Sequence, residues 1–281
     1  MTHGAHMAMR NSSRNEHEDG QRRLAVLIDA DNAQASIIEG LLAEIARYGV
    51  ASVKRIYGDW TSTHTGQWKK SLLKHSINPV QQFPYTTGKN ATDSAMIIDA
   101  MDLLYTGRFD GFCIVSSDSD FTRLAQRLRE EGLMVFGFGE KKTPDSFVAA
   151  CDKFVYTEVL RRQAESGQAP KPATTKKTAG MALKTPAAGT PAAPAAVKSA
   201  SAALPLDLIR QAIEEESDET GWAHLGAIGS YLTKIRPDFD SRLYGFRKLS
   251  DLFKKNPALF LVEERSTAGG TSKSVHVKAV S

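Results

Sequence analysis

Ile114-Val115-Ser116-Ser117-Asp118-Ser119-Asp120-Phe121 marks the end of one element and the start of the next. The residues from Gly111 to Val115 are apolar and partly β-branched, long enough for a buried strand and too short for a helix. The run stops at Ser-Ser-Asp-Ser-Asp, after which Phe121, Leu124, Ala125 and Leu128 recur at helical spacing. The pattern predicts a buried strand, acidic side chains at its carboxyl end, then a helix. In an open parallel sheet, that carboxyl end borders the crevice where ligands bind. A single acid at such a place is accounted for by helix capping. Two acids ask whether others converge on them.

A second strand end supplies others. Leu24-Ala25-Val26-Leu27-Ile28 is fully apolar and stops at Asp29-Ala30-Asp31-Asn32, before a helix marked by Ile37, Ile38, Leu41, Leu42 and Ile45. The same device therefore appears twice: buried strand, acidic turn, helix. Between them the alternation continues with a strand over 51–57, a helix over 67–75, a strand over 79–83 and a helix over 91–106. After the 111–116 strand and the 119–131 helix come a strand over 133–138, a helix over 144–152 and a closing strand over 154–156. Strands alternating with helices imply an α/β fold, a parallel sheet covered by helices on both faces.

Residues 163–203 leave this pattern for Ala, Pro, Thr and Lys, which predicts a disordered tether between two domains. From Leu204 the apolar spacing returns. Leu206, Ile209 and Ile213 predict one helix, Trp222, Leu225, Ile228 and Leu232 a second, and Leu243, Phe246, Leu249 and Phe253 a third. A strand from Leu259, a turn at Gly269-Gly270 and a partner strand from Ser274 complete a smaller winged helix-turn-helix domain. The organisation expected is a disordered tail over 1–23, a first domain over 24–162, a linker over 163–203 and a second domain over 204–279.

The formal net charge of +4 resides in the linker. Residues 1–164 carry 20 basic and 20 acidic side chains, and residues 204–281 carry 11 of each. The linker holds Lys171, Lys176, Lys177, Lys184 and Lys198 against Glu165. Neither domain is a uniformly basic nucleic-acid binder, so contacts of that kind must come from local patches. Cys113 and Cys151 are too few and too separated for a disulfide framework or a zinc site and read as reduced core residues. No stretch has the length of a membrane span, and the polar start up to Arg23 has no apolar signal core, which leads to the expectation of a cytoplasmic protein.

A third source of acid is the 91–106 helix. At about 100° per residue, Asp99 lies about 120° and Asp102 about 180° from Asp93. The three cannot enter one pocket. Asp93, in the first turn, is at the end that faces the crevice; Asp99 is left to act behind it, and Asp102 to face solvent.

Taken together, Ile28-Asp29-Ala30-Asp31-Asn32, Lys89-Asn90-Ala91-Thr92-Asp93 with Asp99, and Ser116-Ser117-Asp118-Ser119-Asp120-Phe121 resemble the successive signatures of the NYN domain, the PIN-like, nuclease-related fold of the bacterial LabA-like proteins. The resemblance covers roughly residues 24–160. It implies a ribonuclease that hydrolyses phosphodiester bonds with Mg²⁺ or Mn²⁺, with Asp29, Asp93, Asp118 and Asp120 as the catalytic acids. Asp29, Asp93 and Asp118 are then expected to hold the metal, with Asp120 at its margin and Asn32 steering a ligand. Ser117 stands where members often carry Gly. Lys89, at the mouth of the helix, and Arg123 are candidate contacts to the RNA backbone, as are Lys69, Lys70, Lys74 and Arg127. No histidine lies in these motifs, so a histidine general base is not indicated.

Trp222-Ala223-His224-Leu225 and Leu243-Tyr244-Gly245-Phe246-Arg247-Lys248-Leu249 resemble the LOTUS, or OST-HTH, domain, a winged-helix module that binds RNA or docks helicases. Arg247, Lys254 and Lys255 are expected on the outer face of its third helix, near Arg236 and Arg242, as an RNA contact or a solvated face. Two other readings compete. Asp29-Ala30-Asp31 also resembles the nucleophile turn of haloacid-dehalogenase-like phosphatases, although Ala33 stands where those carry Thr or Val. The second is an NYN domain without turnover, serving as an RNA-binding scaffold, since fold alone does not establish catalysis.

Overall fold

The computed structural model describes residues 21–83, 91–161, 203–266 and 273–280, which form two compact units divided at Leu160 and Arg161. The predicted N-terminal tail, Lys89, the interdomain linker and the Gly269-Gly270 turn fall wholly or mainly outside these residues.

In the first unit, β1 (Arg23–Asp29), β2 (Val50–Gly58), β3 (Asn78–Gln81), β4 (Gly111–Val115), β5 (Met134–Gly139) and β6 (Lys153–Tyr156) form one sheet in the order β3-β2-β1-β4-β5-β6. Every pairing is parallel. β1 from Leu24 to Ile28 and the whole of β4 are apolar because both of their faces are covered. Ala25, Leu27, Phe112 and Ile114 meet α3 (Ala91–Tyr105), α4 (Thr122–Glu130) and α5 (Asp145–Ala150). Leu24, Val26, Ile28, Cys113 and Val115 meet α1 (Ile38–Ile45), α2 (Lys69–His75) and Leu160, in a helical turn over 157–161. Cys113 and Cys151 are buried and unbridged, as expected for core residues.

Strand order reverses between β1 and β4, which places a crevice at their carboxyl ends. Glycine at 139 lets the neighbouring β5 close that crevice from one side. A Cβ there would lie 2.6 Å from the Ser116 carbonyl oxygen and 2.6 Å from Thr143 Oγ1. A backbone carbonyl cannot step aside, so Gly139→Ala should cost about 1–3 kcal/mol through overpacking. The check is thermal unfolding, where the first unit should melt several degrees lower; an unchanged Tm would show that β4 and β5 can separate freely.

In the second unit, α6 (Leu206–Glu215), α7 (Leu225–Ile235) and α8 (Leu249–Lys254) pack with β7 (Ala223–His224), β8 (Phe260–Ser266) and β9 (Lys273–Ala279) around Ile213, Ile228, Leu252, Phe253 and Val277. The strands form an antiparallel sheet in the order β7-β9-β8. Two expectations are corrected. Trp222 precedes a short strand rather than belonging to a helix, since Ala223 and His224 pair with β9. The predicted third helix is broken: a 3-10 turn over Ser241–Tyr244 ends at Gly245, whose φ of 84° is left-handed, and α8 begins only at Leu249. Arg247 is therefore exposed in the connection and not on a helix face. Among the described residues, no helix is long and apolar enough to cross a membrane.

Candidate functional site

The acidic turns predicted after β1 and β4 meet at the crevice, and hydrogen bonds fix their shape. Asp29 Oδ1 accepts from the backbone N–H of Asp31 at 3.0 Å and of Asn32 at 3.3 Å, folding the turn over its own carboxylate. Its Oδ2 accepts from Asn32 Nδ2 at 2.7 Å and Ser116 Oγ at 2.8 Å. Ser116 Oγ also accepts from the backbone N–H of Asp118 at 3.1 Å. One hydroxyl thus ties the end of β1 to the end of β4. Asp118 Oδ1 accepts from the backbone N–H of Asp120 at 2.9 Å, capping the 3-10 turn Ser119–Phe121 that leads into α4. Ser117 Oγ accepts from the Glu140 N–H at 2.8 Å and anchors the turn to β5.

Asp93 reaches this crevice from the first turn of α3. One carboxylate oxygen from each of Asp93, Asp118 and Asp120 lies within 4.8 Å of the others. Asp93 is buried, Asp118 half-buried and Asp120 exposed, so the group forms a graded path from core to solvent. Asp29 is fully buried behind it. Burial raises its carboxyl above the usual range, against the pull of the bonds from Asn32, Ser116 and the Asp31 N–H. Asp93 is pushed up to about 7, first by burial and then by the charges of Asp29, Asp118, Asp120 and Asp31. Carboxylates held this close repel one another without a cation between them. Hard oxygen donors with one open, solvated side are the donor set that Mg²⁺ or Mn²⁺ takes.

The predicted site residues separate into three groups. Asp29, Asn32, Asp93, Asp118 and Asp120 come together, with Asp120 within the three-acid group and Asp29 engaged by four donors. Arg123 is exposed on α4 and donates to Gln126 Oε1 at 2.8 Å. In the second unit Lys254 pairs with Glu264 at 2.7 Å, while Arg247 and Lys255 are exposed. Arg236 and Arg242 are paired with Asp238 and Asp240. Sequence reasoning missed Ser116 as the bridge between the two acidic turns. Its signal was present in the hydroxyl directly preceding the acidic turn after β4, opposite the acid that ends β1.

The profile of the NYN domain matches residues 23–159, and that of the OST-HTH/LOTUS domain matches residues 199–271. No curated protein matches. Among solved structures, an uncharacterized protein of Nitrosomonas europaea is 43% identical over 36% of this chain and 92% of its own, with a TM-score of 0.28. A protein of unknown function from Vibrio parahaemolyticus is 17% identical over 50% of this chain and 95% of its own, with a TM-score of 0.42. A Chromobacterium violaceum protein is 32% identical over 28% of this chain and 84% of its own, with a TM-score of 0.23.

Proposed function

Because this chain joins an NYN domain to an OST-HTH/LOTUS domain, we propose that it is a metal-dependent ribonuclease, endonucleolytic in action, with a C-terminal module that selects or recruits its RNA. The NYN domain is a nuclease-type fold and the OST-HTH/LOTUS domain an RNA-binding module, which supports the pairing of cutting with selection. The observation that carries the reading is the convergence of Asp93, Asp118 and Asp120 at the β1–β4 crevice, with buried Asp29 behind them.

In this reading Asp93, Asp118 and Asp120 hold the cation. Asp29 contributes its charge and fixes the two turns through Ser116 and Asn32. A bound Mg²⁺ or Mn²⁺ supplies neutralisation of the phosphoryl oxygens and an activated water. The carboxylates would hold the cation, and the exposed side of Asp120 leaves the group open to RNA. Lys89, which lies outside the described residues, and Arg123 are proposed backbone contacts.

The test is incubation of purified protein with mixed structured and unstructured RNAs in Mg²⁺, Mn²⁺ or chelator. Internal cleavage with either cation and none with chelator is expected. RNA binding without cleavage under all three conditions would leave the scaffold reading in place. Hydrolysis of a small chromogenic phosphate ester instead of RNA would favour the phosphatase reading.

For the second unit, reversing Arg247, Lys254 and Lys255 to Glu should weaken RNA binding by about tenfold at low salt and flatten its salt dependence, since phosphate contacts release counterions. A filter-binding titration across salt concentrations measures both. If the triple variant binds RNA as the parent does, the module is better read as a dock for a protein such as an RNA helicase.

A further inference from the structure

The candidate metal ligands leave a mechanical problem, because the helix that delivers Asp93 is repelled by what it approaches. One carboxylate oxygen of Asp93 lies within 4.8 Å of one from each of Asp118 and Asp120, and like charges held that close repel. The rest of the inner face of α3 is apolar: Met96, Ala100 and Leu103 are buried against the sheet, with Ala95, Ile97, Met101 and Leu104 around them. Apolar burial is non-directional and sets a helix's distance from a sheet better than its rotation or axial position. Something directional must oppose the repulsion.

Asp99 supplies it. Its Oδ1 accepts from Arg55 Nη1 and its Oδ2 from the Tyr57 hydroxyl, on successive same-face residues of β2. Tyr57 is fully buried and is the β2 residue in register with Asp29. At about 100° per residue, Asp93 and Asp99 lie on opposite margins of the Met96–Ala100–Leu103 stripe. One margin of α3 is thus pulled onto β2 while the other carries Asp93 over β1 and β4. Two bonds with different partners on one carboxylate fix both rotation and axial position, which a single surface ion pair would not.

We propose that Asp99, gripped by Arg55 and Tyr57, is the positioning residue that holds Asp93 in the candidate metal centre against electrostatic repulsion, so that cation affinity depends on it. The proposal rests on the metal-dependent reading above. Asp99 touches neither cation nor substrate in it; it acts through the placement of α3.

The test is isothermal titration of the intact protein with Mn²⁺ alone. Asp99→Asn keeps the shape and removes the charge; Tyr57→Phe keeps the buried ring and removes only the hydroxyl. Asp99→Asn should raise the Mn²⁺ Kd by about tenfold or more, as removal of groups that orient metal ligands does. Tyr57→Phe should shift it in the same direction. Leu128→Ala lowers the stability of the same core from α4 and should leave the Kd as in the parent, which separates positioning from general loosening. If Asp99→Asn does not fold, Tyr57→Phe against Leu128→Ala decides. Parent-like Kd values in both Asp99→Asn and Tyr57→Phe, with a parent that binds, would overturn the positioning role alone. A parent with no saturable Mn²⁺ binding would overturn it together with the metal-dependent reading.

Discussion

Replacing Asp118 by Asn should remove cation-dependent RNA cleavage almost completely, by about 100-fold or more, while the protein stays folded. Ligand loss is expected to cost at least as much as loss of a group that merely orients a ligand. Asp118 is half-buried, caps the turn into α4 and faces the other acids, so the substitution deletes a charge from the centre and keeps the size of the side chain. An Asn oxygen can still accept from the Asp120 N–H, which preserves the turn. Asp93→Asn should lose activity to a similar degree and, without metal, should raise the Tm, because it removes the carboxylate on which the other charges act. Cleavage assays in Mn²⁺ together with melting curves in chelator decide the matter. Parent-like cleavage by either variant would remove these acids from the catalytic role.

The second large effect is a stability that depends on pH and cation together. The Asp93 carboxyl is raised from an ordinary 3.8 to about 7 in the folded protein, by burial and by its acidic neighbours. A group whose folded pKa is raised contributes stability that is fully present below the unfolded pKa and lost as pH rises through the folded one. The metal-free protein should therefore lose this contribution between about pH 4 and pH 7. Asp29, raised mainly by burial, acts in the same sense. A cation favours the deprotonated ligands, so the Tm gain from Mn²⁺ should be small at pH 5 and grow towards pH 8. Asp93→Asn should flatten both trends. Scanning fluorimetry at pH 5, 6, 7 and 8, with Mn²⁺ or chelator, measures them; a Tm gain independent of pH would contradict the coupling.

Much of the first unit was legible because its chemistry is local in sequence. Leu24–Ile28 of β1 and all of β4 are apolar, which only a strand covered on both faces requires, and each run ends in a turn with two acids one residue apart. That was enough to place Asp29 and Asp118 at a parallel-sheet crevice. What the sequence could not display was the distribution of roles among the acids. Asp29 is held at the turn after β4 by the Ser116 hydroxyl, a bond between residues 87 positions apart. No spacing rule contains that bond.

The second unit shows the opposite failure. Leu243, Phe246, Leu249 and Phe253 fit a helical spacing, yet the chain turns at Gly245, and Phe246, Leu249 and Phe253 reach one core from either side of the break before α8. Periodicity reports which residues are buried together and not whether the backbone between them is continuous. The charge balance was equally incomplete: Lys254 counts as basic in sequence and is half of an ion pair in the folded domain.

The strand order has a consequence in time. β1 is made first, but its neighbour on one side is β4, and Leu24 pairs with Gly111. During synthesis at about 5–20 residues per second, the 87 positions between Asp29 and Ser116 take about 4–17 s to be made. Throughout that interval a nascent chain carries Asp29 without its Ser116 partner and without Asp118 or Asp120. The acidic centre therefore cannot assemble piecemeal on a growing polypeptide surrounded by ribosomal and messenger RNA. It is complete only once β4 has inserted beside β1.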